Sequence, residues 1–164
     1  MPNRHSIELR QPILDYLRGV ADERNRQDRA RGCKHRPGIV GDNAQRKGVM
    51  GEFVYCAWAG IDYTEHEFID GPFADDDDIN GVQIRSTTHS TGHLITYDRD
   101  KPAPYVLVTL DKVDNDLIVG TLRGWQWLHE CNTPDRWDDK LPYPAYATPQ
   151  SALHPMGTLE VIYN

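Results

Sequence analysis

The dipeptide Asn80-Gly81, set between Ile79 and Val82, constrains this chain more than any other stretch. A two-residue hairpin turn needs positive φ at both central positions, and Asn-Gly meets that need at the least steric cost. With the turn placed there, Ile79 lies opposite Val82, Asp78 opposite Gln83, Asp77 opposite Ile84 and Asp76 opposite Arg85. Side chains alternate faces with a period of two. One face then carries Ile79, Val82 and Ile84, with Asp77 as its one polar member, and the other carries Asp76, Asp78, Gln83 and Arg85. Directly opposed side chains sit about 5 Å apart. A carboxylate, an amide oxygen and a cation on a patch backed by apolar residues outline a metal site. The run Asp75–Asp78 fits a solvated loop as well, although like charges so close repel unless a cation or raised pKa values relieve them.

The pattern Asp78-x4-Gln83-x-Arg85 follows a helix-like stretch containing Gly48-x2-Gly51-Glu52. Together these resemble the PD-(D/E)XK nuclease superfamily, and within it small phage-encoded members. The resemblance spans about residues 40–158, through segments 50–58, 78–88, 105–110, 117–120 and 125–156. It implies an α/β class with a mixed sheet, a restriction-endonuclease-like core whose central sheet is flanked by helices. It also implies that Glu52, Asp78, Gln83 and the carbonyl of Ile84 hold Mg²⁺ or Mn²⁺, with Glu52, Asp78, Gln83 and Arg85 as the catalytic set. Two departures stand out: Gln83 replaces the commoner Glu, and Arg85 replaces the usual Lys. A guanidinium effectively never gives up its proton. Arg85 is therefore expected to orient the scissile phosphate or stabilise the transition state, not to act as a base. Phosphodiester hydrolysis needs a metal, an activated water and cationic help on the phosphate, and Mg²⁺ favours a few carboxylates plus several waters. The expected activity is a divalent-metal-dependent nuclease acting on DNA in the first instance. The alternatives are a catalytically inactive nuclease-fold protein that binds DNA or a protein partner, and a metal hydrolase with a different substrate.

Charge distribution bears on the partner. The net charge of −7 disfavours phosphate binding, but residues 1–50 hold eleven Lys and Arg against six Asp and Glu, leaving −12 for residues 51–164. A basic arm on an acidic body suits a polyanion binder with a metal centre. It equally suits a helix with a charged outer face, since Arg24, Asp28 and Arg31 are spaced for intrahelical ion pairs. Arg24, Arg26, Arg31, Lys34, Arg36, Arg46 and Lys47 are the candidate nucleic-acid contacts.

A length of 164 residues fits one domain. It divides into a basic N-terminal helix and loop (1–42), a core helix and sheet (43–123) and a Pro- and aromatic-rich segment (124–164). No apolar run reaches the length of a membrane span, and the polar N-terminus lacks a signal-like apolar region. Three well-separated cysteines suit a reducing compartment, so a cytoplasmic location is expected, in a host cell if the chain is phage-encoded. A homodimer is left open. Cys33 and His35 are too few for a zinc site.

The expected elements are an edge strand within 3–10 and a helix from Pro12 to Gly32 with Ile13, Leu14, Leu17, Val20 and Ala21 inward. A second helix, capped by Asp42 or Asn43 and ended by Gly60, carries Val49, Phe53, Val54, Ala57 and Trp58 as its apolar stripe. Strands follow at 67–70, 94–97, 105–110, 117–122 and 159–163, with a turn at 112–116. A short helix or turn is expected at 125–130. Residues 132–155, with five prolines, read as irregular, their aromatics packing onto the body. His89 and His93 follow the Arg85 strand as lesser candidates for a proton acceptor.

Overall fold

In the computed structural model, residues 5–32, 41–67 and 79–159 are described, with backbone only for 41–43. Strand β1 (Ser6–Arg10) leads into helix α1 (Ile13–Ala30), which starts directly after Pro12. The Gln11 side chain caps it by accepting from the Asp15 amide at 3.2 Å. Leu14, Leu17, Val20 and Ala21 form the buried stripe, as their spacing predicts, whereas Ile13, expected with them, is exposed at the helix start. Helix α2 spans Gly41–Ala59, so Asp42 and Asn43 lie in its first turn rather than capping it. Its stripe also differs. Val49, Met50, Val54, Tyr55 and Cys56 are buried while Ala57 is exposed, because α2 is covered on more than one side.

A one-turn 3₁₀ helix at Tyr63–His66 follows, so Glu67 ends a turn instead of opening a strand; residues 68–70 lie outside the described residues. The Asn80-Gly81 turn forms as its sequence requires, with φ of 52° and 83° and paired hydrogen bonds between Ile79 and Val82 at 2.9 and 3.0 Å. Then come β2 (Gln83–Thr87), β3 (Leu94–Thr96), β4 (Pro104–Asp114), β5 (Leu117–Trp127), the one-turn helix α3 (Leu128–Cys131), β6 (Trp137–Asp138) and β7 (Ala145–Thr148).

Four of these strands make one mixed sheet in the order β1-β5-β4-β2. β1 and β4 run antiparallel to β5, and β2 runs parallel to β4 with Gln83 beside Tyr105 and Arg85 beside Leu107. The long β4–β5 hairpin turns at Asn115-Asp116, so Lys112 to Asp114 are strand and not turn. Residues 125–127 likewise continue β5, and helix begins only at Leu128. The protein is thus mixed α/β, a four-stranded mixed sheet flanked by helices. No helix among the described residues is long and apolar enough to cross a membrane.

The continuous apolar run of β4 faces two cores at once. Val106 and Val108 pack with Leu14 and Leu17 of α1 and Val49 and Val54 of α2. Tyr105 and Leu107 pack on the opposite face with Leu94 and Cys131. That second face is covered by a three-stranded antiparallel sheet, β3-β7-β6, drawn partly from the segment expected to be irregular. The last expected strand lies outside the described residues apart from Leu159, which follows a 3₁₀ turn.

The α2–β2 contact sets the depth of the helix layer. A Cβ on Gly51 would overlap Ser86 Oγ and lie 3.2 Å from Ser86 Cβ and 3.4 Å from Ile84 Cγ2, whereas one on Gly48 meets nothing within 4 Å. Gly48→Ala should therefore stabilise the protein by up to about 1 kcal/mol through helix propensity. Gly51→Ala should destabilise it by about 1–3 kcal/mol through overpacking, with about half regained in Gly51→Ala/Ser86→Ala. Urea unfolding of the three variants checks this, and a stabilised Gly51→Ala contradicts the contact.

Candidate functional site

The contact of Gly51 with Ile84 and Ser86 fixes which way β2 faces. Ile84 and Ser86 point at α2, so Gln83 and Arg85 point to the other side of the sheet. Arg85 accordingly lies over the Tyr105 ring, 5.2 Å from its centroid, and its Nη2 donates to Asp100 Oδ1 at 3.1 Å. The Asp100 side chain is only 5% exposed, and its Oδ2 accepts from the Tyr97 amide at 2.8 Å. Tyr105 is fixed in turn by donating its hydroxyl to the Lys101 carbonyl at 2.8 Å. Gln83 is buried, and its Nε2 has no hydrogen-bond partner among the described residues; the same holds for Arg85 Nε.

Glu52 lies on the helix side, away from this pair. It is 6% exposed and accepts from Arg24 Nη2 at 2.9 Å and Nη1 at 3.3 Å, with the Tyr63 hydroxyl donating at 3.4 Å. Arg24 also donates to the carbonyls of His66 at 3.1 Å and Glu67 at 2.6 Å. Desolvation first, and then the Glu52 charge, hold the Tyr63 phenol well above its ordinary range. The expectation that Glu52 joins Gln83 and Arg85 at one ion is therefore corrected: the sheet separates them, and Glu52 is engaged by a buried guanidinium. Asp78, the acid opposite Gln83 in the expected register, lies outside the described residues, as do Asp75 to Asp77.

The donors on the β2 face are hard oxygens, the chemistry that Mg²⁺ and Mn²⁺ accept. Those of the described residues do not complete a set. Asp100 is engaged by Arg85, and among the described residues no three His, Cys, Asp or Glu side chains are grouped to hold a metal. His89 is exposed in a turn, donating its amide to Thr87 Oγ1, and His93 lies in the same loop ahead of β3.

The expected nucleic-acid contacts separate in the same way. Arg24 is corrected from a surface contact to a buried one. Arg26 pairs with Glu23 at 2.6 Å and Arg31 with Asp28 at 2.8 Å, both within α1. Arg46 reaches from α2 to Asp22 at 3.1 Å. Lys47 is half-buried on α2, and Lys34 and Arg36 lie outside the described residues. The charged outer face of α1 is therefore largely balanced locally. Asp100 and Tyr105, the two groups that hold Arg85, were not singled out from sequence. The register Gln83 beside Tyr105 is invisible without the sheet, and Asp100 sits in the charge-rich stretch Asp98-Arg99-Asp100-Lys101, which reads as loop.

Comparison with known protein families, with curated proteins and with solved structures finds no match to this chain.

Two outcomes test this geometry. Removing one partner of a buried ion pair costs about 3–5 kcal/mol, so Arg24→Ala and Glu52→Ala should each lower unfolding stability by that order, while Arg26→Ala stays within about 0.5 kcal/mol. Burial, then the charges of Glu52 and Asp62, push the Cys56 thiol up to about 12. A disulfide reagent at pH 8 should therefore leave Cys56 and the buried Cys131 unmodified in the folded protein, both reacting in denaturant. Rapid native labelling of Cys56, read by mass spectrometry, contradicts the packing of α2.

Proposed function

We propose that the protein is a divalent-metal-dependent nuclease with a restriction-endonuclease-like core, its reacting site on the β2 face that carries Gln83 and Arg85. The observation that supports this best is the Asn80-Gly81 turn, closed by Ile79 and Val82, from which Gln83 and Arg85 emerge side by side on one face. That is the arrangement the resemblance assigns to the metal-binding strand. Asp78 with the Gln83 amide oxygen and the Ile84 carbonyl are the residues assigned to Mg²⁺ or Mn²⁺, which would supply charge stabilisation and an activated water. Arg85, held from behind by Asp100 and Tyr105, presents a fixed positive charge to the phosphate. Glu52 has a structural role in this reading. The partner is a nucleic acid, DNA in the first instance, and the location that of a reducing cytoplasm.

A second reading rests on the Arg85–Asp100 pair itself. A guanidinium already neutralised and stacked on Tyr105 suits a fold that binds nucleic acid without cutting it.

Supercoiled and single-stranded DNA incubated with Mg²⁺ or Mn²⁺ should be cleaved, with cleavage lost in EDTA. Asp78→Ala should lower the rate by about 10²–10³-fold, the scale of losing one main electrostatic group. Glu52→Gln, assayed on its folded fraction, should keep the rate within about tenfold. Salt-sensitive binding with no cleavage in either metal favours the second reading and removes the first.

A further inference from the structure

Two buried donors on the β2 face have no acceptor among the described residues, Gln83 Nε2 and Arg85 Nε. Gln83 is 4% exposed, and the Arg85 side chain is 25% exposed. An unmade hydrogen bond at such a group costs about 1–3 kcal/mol, and native structures rarely leave a buried donor unpaired unless an ion, water or ligand completes it. The two are not independent strays. They belong to residues two apart on one face of one strand, about 7 Å along the chain, flanked on β4 by Tyr105 and Leu107.

The guanidinium is also held in a definite orientation. Asp100 takes Nη2, the Tyr105 ring lies beneath the group, and the Tyr97 amide and Lys101 carbonyl brace those two supports in turn. With one end fixed to a buried carboxylate, Nε is left as a cationic donor on the same strand face as the neutral amide donor of Gln83. A cationic N–H paired with an amide N–H suits an anionic oxygen, because charge-assisted bonds to it are the strong ones. A metal ion cannot satisfy either nitrogen, since both are donors.

We propose that Gln83 Nε2 and Arg85 Nε form a metal-independent seat for a phosphoryl oxygen, with Asp100 as the positioning residue for Arg85. This rests on the reading of the β2 face as the phosphodiester site and adds a role that a glutamate at position 83 could not fill. Glutamate offers oxygens to a metal but no donor to a phosphate. Glutamine keeps an oxygen on one side of its amide and turns an N–H toward the anion on the other.

The test needs no cleavage. The side-chain Nε–H signals of arginine and the amide signals of glutamine are followed by ¹⁵N NMR on the full chain in EDTA, first with inorganic phosphate and then with a short single-stranded oligonucleotide. Saturable shifts of the Arg85 and Gln83 signals are expected with both probes, tighter with the oligonucleotide. Gln83→Glu should weaken phosphate binding at least tenfold, replacing a donor by a carboxylate, while Gln83→Asn retains part of it. Asp100→Asn, whose neutral amide still fits the space, should broaden or shift the Arg85 signal and weaken phosphate by several-fold. Shifts with the oligonucleotide alone assign the seat to a nucleic-acid contact elsewhere on the face and overturn it as a phosphoryl site. Unshifted Gln83 and Arg85 signals with both probes, or a Gln83→Glu variant that binds phosphate as the wild type does, also overturn it. A protein that binds phosphate here yet never cleaves DNA loses the nuclease reading and keeps the seat.

Discussion

β2 is one strand thick, and both cores of the protein press on it from opposite sides. From the helix side Gly51 admits the backbone of α2 close against Ile84 and Ser86, and from the other side Tyr105 and the 97–101 loop meet Arg85. Parallel pairing with β4 locks this division, because a slip of one residue would exchange every side chain between the two cores. Ile84 would then face Asp100, and Arg85 would be forced against α2 without an acid. The hydrophobic penalty on one face and the unpaired charge on the other act together, so the register is fixed twice over.

The same division explains why the charges pair as they do. A buried cation is tolerated only with a partner of its own. Arg24 finds Glu52 on the helix side, and Arg85 finds Asp100 on the loop side. Hydrophobic residues of equal volume could replace such a pair with little loss of stability, so what the pairs add is orientation. Arg24 ties α1 to Glu52 of α2 and to the carbonyls of His66 and Glu67. Three pieces of chain distant in sequence are held at one point, at the start of the segment that leads toward Asp78. On the other side Asp100 does the equivalent for the loop before β4. Each pair is a joint between elements, and each leaves its own face of β2 with a defined set of remaining groups.

The elements governed by local rules were legible in the sequence. The Asn80-Gly81 turn, the β1 edge strand and both helix stops follow from turn chemistry and periodicity. What escaped was whatever depends on a distant partner. In the β3-β7-β6 sheet, β6 and β7 have two and four residues among prolines, too short to show alternation, and β7 is recognised only by its pairing with β3. Glu52 was expected as a ligand from the resemblance alone, while its partner lies 28 residues upstream. One signal for that partner was present. Leu14, Leu17 and Ala21 step by three and four along α1, and Arg24 is the next position on that stripe. A cation continuing an apolar stripe is a buried cation, and it needs an acid from another element. Reading Arg24 with the polar run around it hid this.

Charge balance on the β2 face limits what that face can accept. Arg85 and Asp100 cancel, so the described part of the face is close to neutral, and its hold on a phosphate rests on the donors of Gln83 and Arg85 rather than on net charge. In the proposed site the carboxylate of Asp78 would make it negative, and a phosphodiester would make it more so by one further charge. A divalent cation offsets those two charges, which is the electrostatic reason for a metal in the proposed chemistry. Without the metal, the phosphate must rely on hydrogen bonds from Gln83 and Arg85 against the repulsion of Asp78. Phosphate held in EDTA should then bind more tightly once Asp78 is neutral, and removing that carboxylate separates the two effects. Binding strengthens as the negative charge goes, while cleavage is lost with the metal ligand. A carboxylate that merely supported the fold would move both in the same direction.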